Sequence, residues 1–461
     1  MNEILITSLE KIVGTGQVLR GSAVEARFFY DWTGSLPTPP EIVVRPKTTE
    51  DVASIMAACN KHDQRIVVQG GMTGMAQSAI AQSGELVISL ERLTKIEELD
   101  DIGRTITVGA GVVLQTIQDL ASEAGLSFPL DLGARGSCTV GGFASTNAGG
   151  NRVVRYGMAR DMILGLEVVL ADGRVMTSLN RMVKNNAGYD LKHLFIGSEG
   201  TLGIITRAVL RLRAAPRSQN VAIVALPDFA SVTSMLRHAD EVLAGQLSAF
   251  EVMWQDFYKY VTAIDDVANP LPSEYPIYAL IEMQGGDIAG DKGRFENMLS
   301  EALEKKLIVD AVIAQSNKEI SALWGVRDGI GEALVQMKPF VPFDISLPTA
   351  MIEGFVQEAR SALDLRWPTE EKLFFGHIGD NNLHIAVSVP TKAEAVAVDR
   401  EIYHRLKSYG GSITAEHGVG MLKRDYLSVC RSPVEIAMMG QFKRLLDPKG
   451  LLNRGRIFRF E

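Results

Sequence analysis

Two hydrophobic periods alternate along the first two hundred positions. Glu41-Ile42-Val43-Val44-Arg45-Pro46 reads as a strand, and Thr48 with Asp51 resembles a capping box for a helix through Met56 and Ala58. Arg65-Ile66-Val67-Val68-Gln69 is a second strand that runs directly into glycine. Short strands over residues 86–89 and 105–108 precede a helix from about Val113 to Ala124, whose Leu114, Ile117 and Leu120 share one face. Residues 166–170, the turn Ala171-Asp172-Gly173 and residues 175–177 predict a hairpin, and residues 203–212 a long strand. Ala214-Ala215-Pro216-Arg217-Ser218 interrupts the pattern, so two domains are expected, 1–216 and 217–461. In the second, strands over 221–226 and 277–283 alternate with amphipathic helices over 231–243 and 295–307. That spacing predicts an α+β domain with a helix-covered antiparallel sheet.

Bulk properties narrow the function classes. A chain of 461 residues exceeds what one core supports, and 46% hydrophobic with 22% charged residues describes an ordinary soluble protein. The net charge of −8 is spread without acidic or basic blocks, which argues against nucleic acid as a partner. Cys59, Cys138 and Cys430 are far apart and form no C-x-x-C pair, so neither a disulfide framework nor a thiolate metal site is expected. The start Met1-Asn2-Glu3-Ile4-Leu5 has no basic, apolar leader pattern, and runs such as residues 162–170 are too short to span a bilayer. A reducing, cytoplasmic setting is the expectation.

Glycine-rich segments follow the first strands. Gly70-Gly71-Met72-Thr73-Gly74-Met75 succeeds a strand, where backbone N–H groups can cradle a phosphate. Neither a G-x-G-x-x-G fingerprint nor a G-K-[ST] loop is present, so a Rossmann unit and a Walker loop are not supported. Ser137-Cys138-Thr139-Val140-Gly141-Gly142-Phe143-Ala144-Ser145-Thr146-Asn147-Ala148-Gly149-Gly150 is dense in small residues and hydroxyls that let main chain lie against a large flat ligand. Together with Gly197-Ser198-Glu199-Gly200-Thr201-Leu202-Gly203, these segments favour an extended dinucleotide over a simple anion; tight turns and helix packing are the alternative.

Three of the seven histidines stand in two motifs toward the C-terminal end. Gly376-His377-Ile378-Gly379-Asp380-Asn381-Asn382-Leu383-His384 places turn chemistry between two strand-like runs, which would bring His377 and His384 together. Downstream lies Ala415-Glu416-His417-Gly418-Val419-Gly420, where adjacent side chains point apart in extended chain. Two imidazoles and a carboxylate suit Zn²⁺, Mn²⁺ or Co²⁺ with a position open for a substrate oxygen.

In family order, these motifs resemble the FAD-dependent 2-hydroxyacid dehydrogenases of the vanillyl-alcohol oxidase and p-cresol methylhydroxylase superfamily. The D-2-hydroxyglutarate and D-lactate dehydrogenase branch is the nearest in pattern, with the glycolate oxidase subunit beside it. The resemblance runs from about Glu41 to Phe460 and implies a two-lobed FAD-binding domain of the p-cresol methylhydroxylase type, followed by the α+β substrate domain and a C-terminal helical segment returning to the flavin. It implies FAD contacts from Gly70, Gly71, Met72, Thr73, Gly74 and Met75 at the pyrophosphate. Pro129, Thr139, Gly142, Ser145 and Asn147 would line the flavin, and Gly203 with Ile204 the adenine end. No histidine stands in the first loop and Cys138 is the only nearby thiol, so FAD is expected to be non-covalent.

The same resemblance makes His377, His384 and Glu416 ligands of Zn²⁺ or Mn²⁺, His417 the general base, and Arg327 the reader of the substrate carboxylate. A metal can then acidify the 2-hydroxyl while C2 delivers hydride to flavin. A surface ion pair of Arg327 with Asp328 or Glu332 is the plainer alternative. The chain departs from the hydroxyglutarate branch at Gly331, Pro342 and Ala386, where that branch has Thr, Lys and Asn; Lys338 is the nearby cation that could replace the lost charge. D-2-hydroxyglutarate, D-malate and D-lactate remain candidate substrates, an electron-accepting protein or quinone the partner, and a homodimer the expected assembly. Two other classes stay open: a metal-dependent hydrolase, and a non-catalytic subunit on a flavoprotein fold.

Overall fold

The computed structural model describes residues 2–34, 39–337 and 339–459. Lys338 therefore lies outside the described residues. The chain forms two compact units. One takes the residues up to Gly150, then Gly157–Ala215 and everything from Glu416 onward; the other takes Asn151–Tyr156 and Pro216–Ala415.

In the first unit, four strands run in the order Val18–Arg20, Ile42–Val44, Leu86–Ser89, Ile66–Gln69, the last three parallel. The helix Thr49–Lys61 begins with the capping box expected from Thr48 and Asp51, and it buries Val52, Ile55, Met56 and Cys59. Such a cap contributes about 1 kcal/mol. A second, five-stranded antiparallel sheet contains the hairpin of Ile163–Val169 with Val175–Ser178, and Ile204–Arg211 as its central strand. Its edge strand, Ile96–Asp100, was not expected. Four of its five residues are acidic or exposed, the composition an edge strand tolerates.

The stretch after Glu416 joins this unit rather than residues 217–415 because buried polar bonds hold it there. Asn453 Oδ1 accepts from Val68 N–H (2.9 Å) and its Nδ2 donates to Glu199 O (2.7 Å). Arg456, 1% exposed, pairs with Glu85, and Lys443 Nζ donates to Thr201 O and Leu452 O, both at 2.7 Å.

The second unit is built on one seven-stranded antiparallel sheet. Its order is Asp310–Ile313, Ser218–Leu226, Ile277–Gly285, Leu247–Trp254, Lys372–His377, Asn382–Ser388, Phe340–Ser346. Helices Gln255–Thr262, Asn317–Asp328 and Ile330–Gln336 pack Phe257, Val261, Leu323, Val326 and Leu334 against Ala249, Met253, Leu373 and Phe375 of the strands. Among the described residues no helix is long and apolar enough to cross a membrane.

Candidate functional site

In the first unit the strand Ile66–Gln69 delivers Gly70–Met75 to the wall of a cavity. Close approach explains the glycines. A Cβ on Gly71 would lie 2.0 Å from Ser137 O, and one on Gly70 2.6 Å from Thr139 Oγ1, so larger residues would push the two segments apart. All six residues of this loop line the cavity, as do Thr139, Gly142, Ser145, Gly203 and Ile204. Pro129 and Asn147 are not among the residues that line it. Asn147 sits at φ 51° as the C-cap of Val140–Thr146, and its Oδ1 accepts from Arg160 N–H (2.9 Å).

Glu416 and His417 also line this cavity, joined by Ser78, Cys138, Glu199 and Asn453. Glu199 holds their loop in place. Its buried carboxylate accepts from Val419 N–H (2.7 Å), Gly420 N–H (2.8 Å) and the Ser78 hydroxyl. Burial pushes the Glu199 carboxyl above the usual carboxylate range despite these donors. Burial likewise pushes the Cys138 thiol up to about 11, so it stays protonated near neutrality. Thr139 Oγ1 is buried in the wall and, among the described residues, has no hydrogen-bond partner. A buried hydroxyl left unmatched costs free energy, and a polar ligand edge in the cavity would satisfy it. These walls fit FAD: glycine gives the main chain access to a flat ring system, and Thr139 brings an unspent hydroxyl to the same wall.

The second unit gathers its chemistry on the sheet. Cross-strand partners follow one another from strand to strand: Glu282 lies opposite Ala249, Glu251 opposite His377, Phe375 opposite His384, and His384 opposite Asp344. Side chains alternate faces along a strand, so Glu282, Glu251, His377, His384 and Asp344 occupy one face on five adjacent strands. The turn after Gly376 brings the two imidazoles together, with ring centroids 5.2 Å apart. A Cβ on Gly376 would meet Asn382 O at 2.3 Å, and Asn381 turns the chain at φ 74°.

Arg327 emerges from the helix Asn317–Asp328 onto this face and is 5% exposed, not a surface ion pair with Asp328 or Glu332. Its Nε donates to Glu251 Oε2 (2.8 Å), its Nη2 lies 3.3 Å from His377 Nε2, and its guanidinium stacks 4.8 Å over the Phe375 ring. Glu251 Oε1 receives His377 Nδ1 at 2.6 Å. Burial opposes charging Glu251, yet His377 and Arg327 beside it hold its carboxyl below the usual range. Glu282 behaves alike: burial is outweighed by Arg152, whose Nε donates at 2.8 Å, with Trp324 Nε1 (3.0 Å) and Ser248 Oγ (2.8 Å) as further donors.

Asp344 accepts from Asn382 Nδ2 (3.0 Å) and Thr414 Oγ1 (2.9 Å), with His384 Nδ1 3.9 Å from its Oδ1. Ala415 N–H donates to Asp344 O (3.1 Å), and Glu416 is the next residue along the chain. The sequence reading did not single out Glu251, Glu282 or Asp344 as site residues. The available signal was a lone carboxylate inside an apolar strand, as in Phe250-Glu251-Val252 and Ile281-Glu282-Met283, where an unpaired charge would be prohibitive. Two of the departures from the resembled branch meet: Pro342 pairs directly with Ala386 across the strands. Gly331 lies in the first turn of Ile330–Gln336, exposed and with open space around it.

Comparison with known proteins agrees with both units. Residues 40–178 match the family described as FAD binding domain, and residues 215–457 match FAD linked oxidases, C-terminal domain. The D-2-hydroxyglutarate dehydrogenase of Stutzerimonas stutzeri (strain A1501) is 35% identical over 464 residues, covering 98% of this chain and 98% of its own. That of Xanthomonas citri pv. viticola is 38% identical over 465 residues, covering 99% and 98%. In fold, the chain is similar to p-cresol methylhydroxylase with substrate bound, at a TM-score of 0.78 and 16% identity over 99% of this chain and 97% of the other. The 4-ethylphenol oxidase of Gulosibacter chungangensis gives a TM-score of 0.77 at 17% identity with the same coverage. Relatives this similar over nearly the whole length, with both halves matched, place the chain in the FAD-linked oxidases, as an FAD-dependent 2-hydroxyacid dehydrogenase.

Proposed function

We propose that this chain oxidises a D-2-hydroxyacid to the 2-oxoacid with the help of a divalent metal. The observation that carries this reading is the pair of buried imidazoles of His377 and His384, 5.2 Å apart, with Arg327 hydrogen-bonded to the carboxylate beside them. FAD, when bound, supplies the acceptor for the hydrogen leaving C2, and a Zn²⁺ or Mn²⁺ ion, when bound, supplies Lewis acidity toward the 2-hydroxyl. His377, His384 and Glu416 would hold the ion. His377 fits such a role because its Nδ1 is hydrogen-bonded to a carboxylate, as is usual for metal-bound histidine, which leaves Nε2 as the donor atom.

The chain's own residues divide the remaining work. Gly70–Met75 and Thr139 hold FAD through backbone N–H groups and a hydroxyl, and the protonated Cys138 favours non-covalent attachment. Arg327 keeps N–H groups beyond its bond to Glu251, and a guanidinium suits a planar carboxylate. His417 takes the hydroxyl proton, since imidazole is the side chain that exchanges protons near neutrality.

For the substrate, relatives named D-2-hydroxyglutarate dehydrogenase favour a dicarboxylate. The apolar Pro342–Ala386 pair on the same sheet favours a shorter acid such as D-lactate, with D-malate between them. An electron-accepting protein or a quinone would reoxidise the flavin. An anaerobic screen of D- and L-2-hydroxyacids, read by bleaching of flavin absorbance with and without chelator, tests the proposal. Bleaching by a D-acid that chelator slows is the expected result; reduction at an unchanged rate after chelation would refute the metal's part.

A further inference from the structure

The carboxylate of Glu251 is fully buried, and each of its two oxygens is committed to a different functional side chain. Oε2 accepts from Arg327 Nε at 2.8 Å and Oε1 from His377 Nδ1 at 2.6 Å. A guanidinium can only donate, so the 3.3 Å contact from Arg327 Nη2 requires a lone pair on His377 Nε2. The Nδ1 contact requires a proton on the other nitrogen. Both contacts are satisfied by one neutral tautomer of His377, with the proton on Nδ1 and a lone pair on Nε2.

This closed triangle also has an electrostatic problem that Glu251 answers. A guanidinium stands directly beside the nitrogen that would receive a divalent cation, and like charges at such separations in a buried setting repel by several kcal/mol. Glu251 supplies the negative charge between them. We propose that Glu251 is the positioning residue of the site: it fixes the His377 tautomer, aims Arg327, and offsets the guanidinium so that a metal cation and a substrate anion can be bound side by side. The inference rests on the proposed roles of His377 as a metal ligand and Arg327 as a carboxylate reader. Asp344, by contrast, accepts from Asn382 and Thr414, with His384 Nδ1 3.9 Å from its Oδ1. A purely structural Arg–Glu pair, fastening the helix Asn317–Asp328 to the sheet, is the competing explanation.

Glu251→Gln in the FAD-loaded enzyme separates them. The amide keeps the shape but loses the charge and presents a donor to one of two donors. Competition with a chromophoric chelator should show Zn²⁺ and Mn²⁺ dissociation constants about 10- to 100-fold weaker. At saturating metal, KM for the D-2-hydroxyacid should rise more than kcat falls, because Arg327 loses its aim, while flavin content stays that of the parent. Parental metal affinity in a folded Glu251→Gln would overturn the proposal.

Arg327→Gln decides the matter should Glu251→Gln fail to fold. Removing the guanidinium while keeping the Glu251–His377 bond should leave metal binding as tight as in the parent or tighter. Weaker metal binding in Arg327→Gln would reduce Glu251 to packing and overturn the proposal. If the parent binds neither ion, or if His377→Ala binds them equally well, the metal assignment itself falls, a result distinct from failure of Glu251 alone.

Discussion

The cavity of the first unit and the sheet face of the second are built on opposite principles. The cavity is made by leaving atoms out: Gly70 and Gly71 allow main chain to approach within a distance that a Cβ forbids, and the side chains at its wall are mostly small. The sheet face is made by putting charge in, with Glu251, Glu282 and Asp344 each 0% exposed and each matched to donors. A large cofactor bound through backbone groups needs room and shape. A small anion handled beside a cation needs compensated charge held rigidly. The first kind of site is vulnerable to added volume, and the second to removed charge.

That contrast can be tested from its largest consequence downward. His417→Ala, which removes the proposed base from the cavity wall, should slow anaerobic flavin reduction by a D-2-hydroxyacid about 10²- to 10⁴-fold while FAD absorbance is retained. Stopped-flow reduction rates would show it, and a parental rate would remove His417 from the mechanism. In the second unit, Glu282→Gln uncovers the charge of Arg152 and should destabilise by about 3 kcal/mol in urea unfolding. An unchanged midpoint would mean that the buried carboxylates there are dispensable. Gly71→Ala tests the opposite vulnerability: with Ser137 O only 2.0 Å from the new methyl, the loop must shift at a cost of about 1–3 kcal/mol. The purified protein should then carry less FAD than the parent.

Acid should act in opposite directions on the two units. The His377 N–H and Arg327 beside Glu251, and Arg152 beside Glu282, hold these carboxyls below the usual carboxylate range, so their stabilising contribution is complete above about pH 4.3 and is lost as pH falls through their folded values. Burial holds Glu199 above that range, so its contribution is present at low pH and is lost as pH rises through its folded value. Three of the four tryptophans lie in the second unit, and Trp324 donates to Glu282 itself. Tryptophan fluorescence should therefore change before FAD is released in an acid titration; simultaneous transitions would contradict the assignment. The smallest effect concerns Thr139→Val, which removes a hydroxyl that has no partner among the described residues. It should leave apoprotein stability intact and weaken FAD binding by about 1 kcal/mol, measured by fluorescence titration.

What the sequence reveals of these sites follows the same divide. The strand ending in Gly70, the capping box at Thr48 and the turn joining His377 to His384 are local, so period and turn chemistry expose them directly. Arg327 is recognisable as a candidate, but its burial is not, because its partner Glu251 lies 76 positions away. Glu251 and Glu282 sit within apolar runs, and their compensating donors come from residues 126 and 130 positions distant. Nothing in the local pattern states whether such a carboxylate is matched. Asn147 is ambiguous for the converse reason: glycine and asparagine mark a helix end as readily as a ligand wall.

The placement of residues 416–461 has a consequence for the order in which the protein is made. Glu416, His417 and Asn453 belong to the cavity wall, yet the ribosome adds them only after the whole of the second unit. Until then the nascent first unit lacks Arg456 against Glu85 and Lys443 against Thr201, two of the buried bonds that hold its last segment in place. The cavity wall is thereby complete only once synthesis has passed residue 453, and an interrupted chain lacks part of it.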